Sequence, residues 1–492
     1  MPNDTNIPST NIGRRRFIEF AGALALFSLG NTGCQSLAAR DSPGSALSNI
    51  DTQISELERR VFDFFWETTD PATGLAPDRW PTPSFSSISA IGFALTAYPI
   101  GVERGYITRE QAAVRVMNTL RFLRDAPQGP EPMGNAGYKG FFYHFLDMKT
   151  GTRFAKDVEL SSIDTALLLA GVLYCQSYFT SNNNAEAEIR AAADTLYGRV
   201  DWRWFQPRPP AISLGWSPET GFNSLDWKGY TEAMPMYLLA LGSPTHAVDA
   251  DAWLAWTSTY ETSPVSGWVS EYGQTYLRFP PLFGHQFPHC WVDFRGIQDS
   301  YMRGKGIDYF ENSRRAIYAQ QAYAIANPEG WAGYGKDIWG VTASDGPADV
   351  QRNFGGRQRR FISYAGRGMG GASTYDDGTI APYGAGSSIA LAPEIAVPAL
   401  TAMRGQLGMH IYDRYGFHAF NRSFTFTDIK LQHGRVVPGF GWVDTDYLGI
   451  EQGPLLAMLG NYRGELVWKT MRNNAYLKRG LQRAGFRGGW LG

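Results

Sequence analysis

Three carboxylates stand where a loop runs into an apolar segment. Glu232 follows the loop Asp226–Tyr230 and opens AMPMYLLALGSP. Asp164 lies in SSIDTA ahead of Leu167–Leu169, with Ser161 or Ser162 placed to cap. Glu451 lies in GIEQGP ahead of Leu455–Leu459. An acid in the first turn of a helix gains from the macrodipole whatever else it does, about 0.3–1 kcal/mol. A carboxylate heading so apolar a helix is nevertheless costly unless it is hydrogen-bonded or faces a wet cleft. Three acids of one local kind, entering inner helices, are expected to converge on one face of a helical assembly. Paired carboxylates are the minimum for cleaving a glycosidic bond: one with a raised pKa protonates the departing oxygen, and the other activates water or attacks.

Other motifs in the chain carry weaker chemistry. His285 and His289 are spaced i, i+4, as a metal pair would be. Pro288 between them argues against a regular helix, and Gln286 stands where a zinc-protease motif has Glu. No metal site is expected. In Trp291-Val-Asp293-Phe-Arg295-Gly296, Asp293 and Arg295 suit contacts to ligand hydroxyls, or a structural ion pair. The run GRGMGG lacks the Lys-Ser/Thr of a phosphate loop, and no Gly-x-Ser-x-Gly elbow is present.

The elements that must position these residues read as helices. Residues 108–125 and 185–200 are amphipathic, whereas 163–178 is apolar on nearly every side, as a helix buried all round would be. Further helices are expected at 231–242, 250–259, 292–304, 307–326, 387–406, 452–463 and 465–483, about twelve in all. Apolar and amphipathic types alternate, which suits two concentric rings of helical hairpins in one large all-α domain over residues 51–492. Strand alternation is confined to short stretches, as at 411–427. The connecting loops are long and rich in Gly, Pro and aromatics: WPTPSFSS, GFFYHFLDMKTG, LFGHQFPHCW, GWAGYGKDIWGVTASDGP and GFGWVDTDYLG among them. Disordered loops are poor in aromatics, so these are expected to be ordered walls with stacking platforms for sugar rings.

Composition narrows the class. With 45 Lys+Arg against 46 Asp+Glu the net charge is −1, which is not that of a nucleic-acid protein. Aromatics reach 14 % and charged residues only 18 %, the reverse of a disordered chain. Residues 1–39 read as an address. Arg14–Ile18 precede a short apolar run, Phe20–Leu29, too short to span a bilayer, in the manner of a twin-arginine export signal. Cys34 is a candidate lipid-anchor cysteine, although Asn31 stands where a lipoprotein signal has Leu. Residues 40–50 read as a linker. The mature chain is expected to lie outside the cytoplasm, in the periplasm or on a membrane anchor, with no integral membrane domain. It keeps Cys175 and Cys290, of which Cys175 sits in an apolar helix as a small hydrophobe.

Residues 50–475 resemble the bacterial glucoamylase-like domain proteins, which include endo-β-1,2-glucanases and β-1,2-glucooligosaccharide hydrolases. The carrying segments are GLAPDRWPTPSFSSISAIGFALTA, GYKGFFYHFLDMKTG, VELSSIDTALLLAG, GYTEAMPMYLLALGSPTH, FGHQFPHCWVDFRGIQDSYMR, GVTASDGP, DDGTIAPYGAG and LGIEQGP. The resemblance implies an (α/α)6 barrel with its long loops on one face, and hydrolysis of β-glucan, β-1,2 preferred, without metal or cofactor. It implies that Glu232 is the general acid and matches Asp164 to an acidic substrate-contacting residue; Glu451 or Asp164 is expected to activate water. Inversion, the expected course, needs carboxyl groups roughly 6.5–9.5 Å apart; retention needs about 5–5.5 Å. Substrate contacts are expected from Asp78, Arg79, Tyr143, His144, Tyr230, His285, Trp291, Asp293, Arg295, Trp339 and Asp345. Ser161 stands where the characterised endo-glucanases carry an acid, and Asp164 replaces their Glu, which leaves linkage and endo or exo action open. Two other readings stay open: a non-catalytic glycan-binding lipoprotein, and an α/α-barrel sugar lyase or epimerase.

Overall fold

The structure, a computed structural model, describes residues 43–370 and 374–492. The export signal and Cys34 lie outside the described residues. Among those described, helices form most of the regular structure: α1 (Pro43–Thr68), α2 (Ile88–Glu103), α3 (Arg109–Asp125), α4 (Ser162–Tyr178), α5 (Asn184–Gly198), α6 (Met234–Gly242), α7 (Asp251–Thr257), α8 (Phe283–Trp291), α9 (Ser300–Lys305), α10 (Tyr309–Ala326), α11 (Pro382–Gly386), α12 (Pro393–Ile411), α13 (Gly449–Tyr462), α14 (Leu466–Met471) and α15 (Ala475–Arg483).

Two kinds of helix alternate. α2, α4, α6, α8, α11 and α13 are buried along nearly their whole length. α3 and α5 bury one stripe each and turn the rest to solvent. The buried helices touch in succession. A Cβ on Gly92 of α2 would lie 2.4 Å from the Leu167 carbonyl of α4, so only glycine permits this backbone approach. α4 packs on α6, and Tyr230, just ahead of α6, meets the His285 ring of α8 at 5.0 Å. Gln286 of α8 donates to the Gly384 carbonyl and the Ser388 hydroxyl beside α11. Gly386 of α11 meets Leu455 of α13, and Gly453 of α13 meets the Phe93 ring of α2. Phe93 also stacks on Trp291 at 5.0 Å, filling the space between α2 and α8.

Short antiparallel pairs stitch the helix entrances together at one end. Tyr447–Leu448, which leads into α13, pairs with Arg79–Trp80. Ser86–Ser87, which leads into α2, pairs with Phe145–Leu146. Leu160–Ser161, which leads into α4, pairs with Gly215–Ser217. The opposite end gathers helix exits. Arg104 after α2 and Arg463 after α13 both bind Glu58, and Asn461 near the end of α13 donates to the Cys290 carbonyl of α8.

Several expectations need correction. α1 begins at Pro43, inside the stretch read as a linker. α8 forms despite Pro288, because all nine of its residues are buried and that burial outweighs the roughly 3 kcal/mol cost of an internal proline. The helix expected over 292–304 shrinks to α9, capped by Asp299. The one expected over 465–483 divides where Asn474 caps α15. Cys175 and Cys290 are both free and buried. No helix of the described residues is long and apolar enough to cross a membrane.

Candidate active site

Glu232 lies in the turn ahead of α6 rather than in its first turn as expected. Pro235, which favours a first-turn position, sets the start of the helix at Met234. The residue is half-buried, and its Oε2 is closed off from solvent without a hydrogen-bond partner. Burial pushes its carboxyl up to about 7, helped by the charge of Asp164. A group with that proton affinity is protonated and ready to donate near neutral pH.

Asp164 sits in the first turn of α4, whose cap is Ser161. The Asp164 N–H donates to Ser161 Oγ at 3.1 Å, and Ser161 Oγ donates back to Asp164 Oδ2 at 2.7 Å. The same Oδ2 lies 3.2 Å from His144 Nε2. The other ring nitrogen of His144 lies 3.2 Å from Glu159 Oε1. His144 is thus a buried link between two carboxylates, with its ring stacked on Phe145.

The second group of charges centres on Arg79. Its Nη1 donates to Asp345 Oδ2 at 2.6 Å and to His433 Nδ1 at 3.0 Å; Asp446 Oδ2 is 3.8 Å away and Asp78 Oδ2 is 3.7 Å from Nε. Arginine has no acceptor, so Nδ1 of His433 must present its lone pair and the ring is neutral. Burial of that ring lowers its proton affinity in the same sense. Glu451, expected just ahead of a helix starting at 452, lies in the first turn of α13 and is held far above the usual carboxylate range by burial and by Asp345 and Asp444. Asp444 is raised likewise by burial, Asp345 and Asp446. Asp345 Oδ1 and Glu451 Oε1, like Glu232 Oε2, are buried and have no hydrogen-bond partner among the described residues. Orphaned buried oxygens are rare and call for a partner; sugar hydroxyls and a water are groups of the right kind.

Other expected contacts lie elsewhere, and the reasons are structural. Asp293 and Arg295 follow the exit of α8, near the exit of α13. Glu451 heads α13, and 14 residues of helix put about 20 Å between its two ends. Asp293 instead binds Arg295 at 2.8 Å and also Arg472, while Arg295 binds Glu465 at 2.9 Å. This network ties the last helices to α8. Trp291 is buried at that end, donating to Thr96 Oγ1. Tyr230 is sealed against Tyr309, Tyr143 lies under Arg153, and Trp339 is wholly buried. These aromatics pack behind the walls; a sugar platform needs an open face. Trp80, 42 % exposed beside Arg79, has one.

His285 and His289 do not form a cation site. The Phe279 N–H donates to His285 Nε2, and His289 Nε2 meets Ser313 Oγ. Burial takes both rings down to about 3. Among the described residues one trio has ligand-like spacing, Asp345, His433 and Asp446. The Arg79 guanidinium already supplies the positive charge there and occupies the His433 lone pair, so the trio does not suit a metal ion.

Sequence reasoning missed His433, Asp444, Asp446 and the Arg367–Asp377 pair. Asp444 and Asp446 stood in a loop singled out for its aromatics, and two acids two residues apart before a helix were a usable signal. Nothing local marks His433, which meets Arg79 across 354 positions.

A family model described as "Putative glucoamylase" matches residues 224–475. An exo β-1,2-glucooligosaccharide sophorohydrolase of Parabacteroides distasonis is 27 % identical over 463 residues, 88 % of this chain and 58 % of the relative, so the chain spans little more than half of that protein's length. An endo-β-1,2-glucanase of Chitinophaga pinensis, solved with sophorotriose and glucose, is 27 % identical with a TM-score of 0.76, covering 90 % of this chain and 99 % of that one. A Bacteroides uniformis protein solved under the description "putative glucoamylase" is 28 % identical with a TM-score of 0.76, covering 90 % of this chain and 99 % of its own.

Proposed function

The chain belongs to the glucoamylase-like family, and on that premise we propose that it is a glycoside hydrolase cleaving β-1,2-glucan or its oligosaccharides. Relatives along nearly the whole chain carry the names β-1,2-glucanase and β-1,2-glucooligosaccharide sophorohydrolase. The observation that carries the reading is Glu232: a half-buried carboxyl at a helix entrance, one oxygen unpaired, its proton affinity raised to about 7 by burial and by Asp164.

In this mechanism Glu232 gives its proton to the departing sugar oxygen. Water is activated by a carboxylate of the Arg79 group. For Glu451, the first candidate for that task, burial and the neighbouring Asp345 and Asp444 oppose the charged form a base needs. Asp164 is already committed to Ser161 and His144. Asp345, ion-paired to Arg79 through Oδ2 with Oδ1 unengaged, is the better base. Direct attack by water inverts the anomeric centre. The succession of contacts α2–α4–α6–α8–α11–α13, with amphipathic helices outside, supports an (α/α)6 barrel whose entrance end is the cleft. The arginine-rich leader supports export, with Cys34 as a lipid-attachment point.

Linear β-1,2-glucan incubated with the wild type and with Glu232→Gln tests the reading. The wild type should release reducing ends, and the variant should do so about 10²–10⁴-fold more slowly. Equal rates, or no release by either, would refute it.

A further inference from the structure

Beneath the Arg79 group lies a second arginine that the mechanism above does not use. Arg367 and Asp377 are both fully buried, an arrangement that leaves a costly charge behind if either partner is lost. Arg367 Nε donates to Asp377 Oδ1 at 2.7 Å and Nη2 to Oδ2 at 2.9 Å, a bidentate pair. Its Nη1 donates to the Ser344 carbonyl at 2.6 Å and its Nη2 to the Ile362 carbonyl at 2.7 Å. Ser344 immediately precedes Asp345, and their strand, Ala343–Asp345, pairs with Tyr364–Gly366, which ends one residue before Arg367. Gly346, on the other side of Asp345, packs so tightly that a Cβ there would sit 2.1 Å from Arg367 Nη2. The guanidinium therefore bonds the backbone of Ser344 on one side of the candidate base and packs against Gly346 on the other.

We propose that Arg367, held by Asp377, is a positioning residue that fixes Asp345 at its place in the cleft and adds a buried positive charge beneath the carboxylates. The proposal rests on the hydrolase reading above. Asp345 faces Arg79 and His433, with Asp446, Asp444, Glu451 and Arg367 in its field. Arg79 anchors its Oδ2 from the cleft side; Arg367 anchors its backbone from the core side. Geometry and charge can be separated, because lysine keeps the charge but cannot reproduce the planar fork.

Kinetics on β-1,2-glucooligosaccharides, with the wild type as the control for the hydrolase reading, test this. Arg367→Lys should lower kcat of the folded protein by about 10–100-fold with KM nearly unchanged, the cost of misplacing a reacting group, and leave the acid limb of the pH profile in place. Arg367→Met should lower kcat and also move that limb to higher pH, because a carboxylate without the nearby cation binds its proton more tightly. Asp377→Asn, which keeps the shape and removes the negative charge, should move the limb to lower pH. Where the Arg367 variants do not fold, Asp377→Asn carries the test. A lower Tm with wild-type kcat and an unmoved pH profile in the folded variants would overturn the proposal. An inactive wild type would instead refute the hydrolase reading.

Discussion

Replacing Glu232 by Gln should stabilise the protein at alkaline pH while disabling it. The native carboxyl binds its proton with an affinity of about 7 against an ordinary 4.5, chiefly because burial penalises the charged form. That difference corresponds to about 3 kcal/mol. The sign follows from the raised value. Below pH 4.5 both folded and unfolded chains are protonated at this site, and its contribution to stability is intact. Between 4.5 and about 7 the unfolded chain ionises while the folded one resists, so stability drains away; above 7 the loss is complete. Gln carries no charge and escapes this. The two proteins should melt alike near pH 4, and the variant should be more stable by up to about 3 kcal/mol at pH 8. With about 2 cal/mol/K of unfolding entropy per residue, that is about 3 °C of Tm in a chain of this size. Apart from Asp164, whose charge contributes to the Glu232 shift, the other ionisable groups are common to both proteins and cancel. The assay is thermal unfolding of both across pH 4–9, beside their rates on β-1,2-glucan. Wild-type activity should decline as pH rises through about 7, as the donor loses its proton. Parallel Tm curves for the two proteins, or wild-type activity that climbs undiminished past pH 8, would refute the reasoning.

Arg79→Ala should cost at least about 10²-fold in kcat, because Asp345 loses its charged anchor, and added guanidinium should restore part of the rate; steady-state kinetics with and without guanidinium check this. Gly92→Ala should unfold the protein or strip several kcal/mol from it, since the new methyl would meet the Leu167 carbonyl at 2.4 Å; urea unfolding measures the loss. Treatment with a chelator should leave hydrolysis unchanged, because Arg79 fills the charge requirement among Asp345, His433 and Asp446. Asp293→Asn should lower Tm without altering KM, as its partners Arg295 and Arg472 tie helices at the end remote from Glu451.

What could be read without coordinates was local. The apolar run at 163–178 became a buried helix headed by Asp164, with Ser161 as its cap. The amphipathic pattern over 108–125 became α3, with a capping box between Thr108 and Gln111. Both signals lie within a few residues of their consequence. Pro288 misled because the penalty it imposes is local while the burial that outweighs it is tertiary. Asp293 and Arg295, expected to touch ligand hydroxyls, form the alternative ion pair instead, because no local pattern says which end of a helix faces the cleft. The Arg79 cluster was the least legible part, since it joins positions 79, 345, 433 and 446 through loops whose pairing only the fold supplies.

Linkage specificity bears most directly on the claim that this cleft cleaves β-1,2-glucan. Wild-type protein offered β-1,2-, β-1,3-, β-1,4- and α-1,4-glucans separately should liberate reducing ends from the β-1,2 polymer or its oligosaccharides well above the rest. Faster cleavage of an α-1,4-glucan, or none of any β-1,2 substrate, would contradict the account.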